Sequence, residues 1–280
     1  MLLYTDEVHY KQHLRKSSRA ERTINMIEAI QPPAYSGMVR EALFVIEFPR
    51  LLLRFPFLFT QPRGKREPVL IFPPHGTGDG STTLLKAYLR LLGYRARGWG
   101  LGRNRGNVTE LLPRALKRVA SFAKRSNQKV TLIGWSFGGY LARELARERP
   151  DLISRVITLG TPVIGGPKYT ALSEIYRKRG MDIEAIATEV DFRNQAAPLE
   201  TPVVAIYSRI DALVAWQACI DHQTPNVEHV EVRSTHYGFG FSPEVYRIIA
   251  QRLAQANDRS RHESSEKPQR RKHIRLHTRR

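Results

Sequence analysis

The chain has 280 residues, 41% of them hydrophobic, and a formal net charge of +19. This size and apolar content fit one sizeable globular domain with a full core and argue against wholesale disorder. The single cysteine, Cys219, excludes an intramolecular disulfide and favours a reducing, cytoplasmic compartment. The basic charge fits a solvated surface, an anionic membrane or an acidic partner, and no basic motif with interleaved aromatic residues predicts nucleic-acid binding.

The N-terminal part of the chain, residues 1–60, is predicted to be a helical segment that packs on the domain core. Its first 22 residues contain acidic side chains and no continuous apolar run, which is not the pattern of a secretory signal. A helix is expected near Arg19–Ile30, just before two consecutive prolines.

The most apolar stretch of the chain follows at residues 38–59. Glu47, Arg50 and Arg54 interrupt it together with two prolines, which argues against a membrane span of about 20 residues. Two interpretations remain. The pattern favours helical pieces that cover the core, and the alternative is an interfacial anchor whose arginines lie among lipid headgroups.

Residues 61–257 are predicted to form one α/β domain in which strands and helices alternate. Strands are expected at Pro68–Phe72, Tyr94–Gly98, Val130–Ile133, Arg155–Leu159, Pro202–Tyr207 and Val227–Val232. Helices are expected from Ser81 or Thr82 to Leu92, and at Asn107–Arg125, Tyr140–Arg149 and Pro243–Ala256. The alternation predicts a mostly parallel central sheet with helices on both faces. Residues 258–280 are highly charged and are expected to form a basic disordered tail.

One short motif carries the strongest chemical signal. The segment Gly134–Gly138 reads Gly-Trp-Ser-Phe-Gly and lies between a predicted strand and a predicted helix. In that setting G-x-S-x-G forms a tight turn that exposes the serine hydroxyl above the edge of the sheet. Glycines two positions before and after the serine leave no Cβ where strand and helix nearly touch. Ser136 is therefore the candidate nucleophile.

A nucleophilic serine needs a base, and the base needs a group that orients it. In sheets with this turn the chain order is serine, then acid, then histidine. Asp211 follows the predicted strand that ends at Tyr207, and His236 follows the last one. Both belong at strand ends, where open α/β sheets build their sites. Weaker candidates are His222 and His229 for the base, and Asp191 and Glu200 for the acid.

An acyl-transfer site also needs two N–H donors for the oxyanion. Phe137, directly after the serine, is expected to supply one. The glycine-rich turn after Phe72 is expected to supply the other, from Thr77 or else from Gly76. In this interpretation His75 shapes the turn and is not the base.

An insertion between residues 161 and 201 precedes the strand that carries the acid. It is predicted either as a cap or lid over the site or as a helical piece packed on the core. The glycine run at Gly98–Gly102 lacks the lysine of a phosphate-binding loop. No residues with metal-ligand spacing occur, so neither a cofactor nor a metal is expected.

Five segments cover most of residues 41–256: EFPRLLLRFPFL, PVLIFPPHGTGDGSTTLLKAYLRLLGYRARGWGLGRNRG, VTLIGWSFGGYLARELARERPDLISRVITLGTPVIG, TPVVAIYSRIDALVAW and VRSTHYGFGFSPEVYRIIAQRLAQ. Together they resemble the α/β-hydrolase superfamily, and more narrowly its bacterial lipase/esterase-like branch. The resemblance implies an α/β-hydrolase fold, the triad Ser136, Asp211 and His236, and a place for residues 41–59 within the domain.

The chain departs from the pattern of that branch at two places. The oxyanion turn reads Pro74-His75-Gly76-Thr77 where the branch usually has Pro-Gly-Phe. After Asp211 the chain reads Ala-Leu-Val-Ala-Trp, where the branch usually has Gly and a Val-Pro-Trp run.

The expected function is hydrolysis of carboxylic esters, including lipid esters, through an acyl-enzyme. The same residues would serve acyl transfer to an acceptor other than water, because the acyl-enzyme does not dictate which nucleophile resolves it. A third hypothesis is a non-catalytic protein that keeps the fold and binds partners through its basic surface.

Overall fold

A computed structural model describes residues 30–255 of the chain. Residues 19–29 of the expected N-terminal helix and the tail predicted for residues 258–280 lie outside the described residues.

The core of the fold is one sheet of six parallel strands in the order β2-β1-β3-β4-β5-β6. The strands are Pro68–Phe72 (β1), Arg95–Gly98 (β2), Val130–Trp135 (β3), Ile153–Leu159 (β4), Val203–Tyr207 (β5) and Val227–Glu231 (β6). Each predicted strand is present, with ends that shift by at most two residues. The sequence-based prediction of a parallel α/β sheet is confirmed.

Helices connect the strands and cover the sheet. A 3-10 helix at Tyr35–Leu43 leads into α1, Phe44–Leu58. The others are Thr83–Leu91 (α2), Val108–Ser126 (α3), Phe137–Glu148 (α4), Ser173–Lys178 (α5), Ile183–Ala196 (α6) and residues 243–255 (α7). The start of α3 illustrates how local sequence sets an end, because the Asn107 side chain accepts a hydrogen bond from Glu110 N at 3.2 Å.

Both faces of the sheet are buried, as expected for parallel strands covered by helices. Side chains alternate along each strand, so Val69 and Ile71 point to one face while Leu70 and Phe72 point to the other. The first face packs against α1, α2 and α7, and the second packs against α3 and α4.

The segment before β1 lies against the first face of the sheet through Leu51 and Leu58 of α1. Two carboxylates on the same inward side, Glu41 and Glu47, are also buried. Within residues 30–255, no helix combines the length and the apolar character needed to cross a bilayer.

Candidate active site

The centre of the candidate site is the turn between β3 and α4. Ser136 is the only residue between the end of the strand and the start of the helix. Its backbone has φ 53° and ψ −123°, a conformation that costs a non-glycine residue about 1–3 kcal/mol. Strain of this kind at a serine in G-x-S-x-G is the signature of a nucleophile turn.

The two outer glycines of the motif are required by close backbone packing. A Cβ at Gly138 would lie 2.5 Å from the carbonyl oxygen of Phe72 on the neighbouring strand β1. A Cβ at Gly134 would collide with the backbone of Gly138 and Gly139. Strand and helix therefore approach each other as the sequence motif predicts.

Asp211 and His236 form a buried hydrogen-bonded pair. His236 Nδ1 lies 2.7 Å from Asp211 Oδ2, and the two residues are 1% and 6% exposed, respectively. The other carboxylate oxygen, Oδ1, accepts hydrogen bonds from the backbone N–H groups of Leu213 and Val214, both at 2.8 Å. Three donors thus fix the carboxylate, and the carboxylate fixes the plane of the imidazole.

This pair lies near the ends of β3 and β4, against the residues Trp135 and Gly160. The Trp135 ring, which precedes the serine, is centred 6.4 Å from the His236 ring. A Cβ on Gly160, the residue after β4, would lie 3.1 Å from both Asp211 Oδ2 and His236 Nδ1. His236 Nε2 is buried without a hydrogen-bond partner among the described residues. The three predicted residues therefore gather at one sheet edge, and their catalytic role stays a prediction.

Glu41, which sequence reasoning missed, connects the loops that carry the acid and the base. This side chain on the 3-10 helix is 2% exposed. Its Oε1 accepts from Ala212 N at 2.8 Å, and its Oε2 accepts from Tyr237 N at 2.9 Å. Each donor belongs to the residue directly after Asp211 or His236. One buried carboxylate thus clamps both loops at the candidate site.

The N–H groups of the glycine-rich turn after β1 differ in their bonding. Gly76 N donates to Asn104 O at 2.7 Å. Thr77 N makes a longer bond, 3.3 Å, to Pro74 O. The N–H of His75 has no acceptor among the described residues, and its ring is centred 6.5 Å from that of Phe137.

The turn is held by Asn104, a second residue that the sequence did not single out. Asn104 is fully buried, and its Nδ2 donates to Pro73 O at 2.8 Å. Its backbone N donates to Thr77 O at 2.7 Å, while its carbonyl accepts from Gly76. Asn104, on the loop after β2, therefore buttresses the turn.

The His75 side chain is held under the insertion. Burial lowers its pKa, and the charges of Arg103 and Arg179 act in the same direction, against a raising hydrogen bond with the Arg105 backbone. Tyr176 of α5 places its hydroxyl 3.4 Å from His75 Nδ1. A largely neutral His75 imidazole that contacts the insertion is better suited to a structural role than to the role of catalytic base.

The competing candidates lie elsewhere. His229 Nε2 accepts from Asp221 N at 2.9 Å, and Asp221 forms a buried ion pair with Arg143 of α4 at 2.5 Å. Asp191 accepts from Gly165 N at 2.9 Å within the insertion. Exposed Glu200 has no contact with the Asp211–His236 pair. Across residues 30–255 no cluster of three or more potential metal ligands occurs.

The insertion is tied to the body of the domain at several points. In α6, Arg193 forms an ion pair at 2.7 Å with Glu144 of α4. Thr170 pairs with Val214 of the acid loop in an antiparallel bridge. A cavity of about 940 Å³ opens between residues 30–35 and 168–178. None of its described lining residues belongs to the predicted triad.

Comparison with known proteins supports the same fold. A family model described as alpha/beta hydrolase fold matches residues 112–170. No curated protein matches the sequence significantly. A proposed aryl esterase from Burkholderia cenocepacia aligns over 71% of this chain and 94% of its own, with 16% identity and a TM-score of 0.52.

Two further solved structures show the same likeness. A monoacylglycerol lipase from Paleococcus ferrophilus aligns over 70% of this chain and 97% of its own, with 17% identity and a TM-score of 0.51. A metagenome-derived lipolytic enzyme aligns over 71% and 96%, with 13% identity and a TM-score of 0.51. The chain has the α/β-hydrolase fold.

Proposed function

We propose that the protein is a serine hydrolase that cleaves carboxylic esters through an acyl-enzyme on Ser136. The observation that carries this proposal is the buried Asp211–His236 pair next to a serine held at a strained strand–helix turn. The similar fold of known lipolytic enzymes supports the choice of esters as the substrate class of this protein.

In the proposed mechanism, Ser136 Oγ attacks the ester carbonyl and its proton passes to His236 Nε2. That nitrogen is buried and has no competing partner among the described residues. Asp211 keeps the proton on Nδ1 and stabilises the imidazolium. His236 then protonates the departing alkoxide, and the acyl group remains on the serine. A water, deprotonated by the same imidazole, releases the acid.

Two backbone N–H groups stabilise the oxyanion in this proposal. Phe137, the first residue of α4, supplies one. His75 supplies the second, in place of Gly76, because Gly76 N is already bonded to Asn104. Thr77 stays an alternative because its N–H bond to Pro74 is long at 3.3 Å. Removing one such donor typically lowers kcat by about 100- to 1,000-fold.

Glu41 acts as a positioning residue. It touches neither substrate nor reacting atoms, but it accepts from the residues that follow Asp211 and His236. Catalytic geometry tolerates little displacement, since a shift of about 1 Å can lower the rate roughly 100-fold. The N-terminal segment is therefore part of the active-site framework.

The test is turnover of p-nitrophenyl esters of short and long acyl chains by purified wild type and Ser136→Ala. Ser121→Ala on the exposed surface of α3 is the matched control. The proposal predicts that only Ser136→Ala loses turnover. Turnover that persists in Ser136→Ala would contradict it. Product analysis with added alcohols separates hydrolysis from acyl transfer, which would appear as new esters.

A further inference from the structure

The outward side of the N-terminal helices is unusually apolar. Large apolar side chains on the 3-10 helix and α1 face solvent, with Val39, Leu52 and Leu53 at 80%, 69% and 77% exposure. The set called here the outer face of α1 is Val39, Leu43, Val45, Ile46, Phe48, Leu52, Leu53 and Phe57, of which the first two lie on the 3-10 helix. Contiguous apolar patches of this kind on soluble proteins mark interaction sites.

These helices bury their acidic side chains and expose apolar ones, which is the reverse of the usual arrangement on a surface helix. Both of their acidic side chains, Glu41 and Glu47, are buried against the domain at 2% and 6% exposure. The inward contacts are completed by Leu51 and Leu58. Packing against the domain core therefore explains the buried residues of these helices. It does not explain why leucine, isoleucine and phenylalanine occupy the solvent-facing positions.

The exposed charged side chains of these two helices are all basic. Arg40, Arg50 and Arg54 are exposed on these helices, and Arg50 pairs with the buried Glu47 at 2.7 Å. Three further exposed basic residues follow within eight positions of the end of α1: Arg63, Lys65 and Arg66. With both acids turned inward, the surface offers cations beside apolar groups.

We infer that the outer face of α1 binds an anionic lipid bilayer. Apolar side chains of such a helix enter the boundary between headgroups and acyl chains, and the basic residues attract the anionic surface. A second copy of the chain is the weaker occupant, because each copy carries a net charge of +19 and the two would repel.

The outer face borders the candidate active site. The Phe44 ring is centred 6.2 Å from that of Tyr237, the residue after His236, and Phe48 is 5.4 Å from Phe241. Tyr237 itself is 40% exposed and continues the apolar surface toward the site. A bilayer on this face would lie next to the loop of the base. If the proposed function holds, the substrates are esters that reside in the lipid layer.

The experiment measures partition of the full chain onto neutral phosphatidylcholine vesicles and onto vesicles that also contain phosphatidylglycerol. Wild type is expected to bind the anionic vesicles, less so at high salt. The double variant Leu52→Glu/Leu53→Glu should reduce the partition constant by about tenfold or more. The matched control, Phe192→Glu on exposed α6, should bind as wild type does.

Turnover of a soluble p-nitrophenyl ester is measured in parallel, and the double variant should keep it because neither leucine contacts the site. If the wild type hydrolyses soluble esters but does not bind anionic vesicles, the inferred membrane-binding role of this face is refuted and the proposed hydrolase function is not. Vesicle binding without any Ser136-dependent turnover would support the surface and overturn only the hydrolase. A concentration-dependent dimer, abolished by the double variant, would assign the face to a second copy and overturn the inference.

Discussion

Replacement of Glu41 tests whether the N-terminal segment holds the active-site loops. In Glu41→Gln, one oxygen can still accept, but the amide NH₂ must face the second N–H donor, at Ala212 or Tyr237. Hydrogen bonds to charged groups contribute about 1.5–3 kcal/mol, so the variant should lose roughly that much free energy of unfolding. We expect kcat for a soluble ester to fall about 100-fold, with little change in KM.

Glu41→Ala leaves both donors without a partner and should be more severe, whereas Glu41→Asp should recover part of kcat. Leu51→Ala is the control, because it removes a buried contact of α1 without touching either loop. It should lose about 2–5 kcal/mol of stability but keep kcat when assayed below its unfolding temperature. The positioning role would be refuted if folded Glu41→Ala kept the wild-type kcat, or if Leu51→Ala lost as much.

Two further predictions concern the oxyanion turn and the buried ion pair. Asn104→Ala removes the bond to Pro73 O and should lower kcat roughly 10- to 100-fold in the ester assay, with an unchanged kcat contradicting the buttressing role. Burial raises the pKa of Asp221, but the Arg143 charge and backbone N–H donors outweigh it and lower that pKa from 3.8 to about 2. Since the folded pKa lies below the unfolded one, this carboxylate stabilises the fold above about pH 4. About 2 kcal/mol of that stability is lost as the pH falls toward 2. Asp221→Asn leaves Arg143 buried and unpaired, so it should unfold more easily by about 3–5 kcal/mol at neutral pH and show a shallower acid dependence, measured by urea titration. The same acid dependence in variant and wild type would contradict the assignment.

The sheet could be predicted because parallel strands buried on both faces read as short apolar runs bounded by turn residues. The serine turn could be predicted because its glycines are required by close backbone contacts, and the motif that provides them is short and local in sequence. The proximity of Asp211 and His236 could be predicted from their positions after strand ends, since parallel strands bring those ends to one edge.

Glu41 and Asn104 could not be predicted in the same way, because their partners are distant in sequence. Glu41 bonds to Ala212, 171 positions away, and a glutamate in an apolar stretch reads as an interruption. Which N–H groups of the glycine-rich turn are already bonded could not be predicted either, because Gly76 N donates to Asn104 O on a loop that is distant in sequence.

A reactive Ser136 is tested most directly by intact-mass and peptide analysis after reaction with a serine-directed fluorophosphonate. We expect one adduct, located on Ser136 and absent in Ser136→Ala. His236→Ala should label far more slowly, because the serine loses its base. Failure of the folded wild type to label, or labelling that persists on another residue in Ser136→Ala, would refute a nucleophilic Ser136.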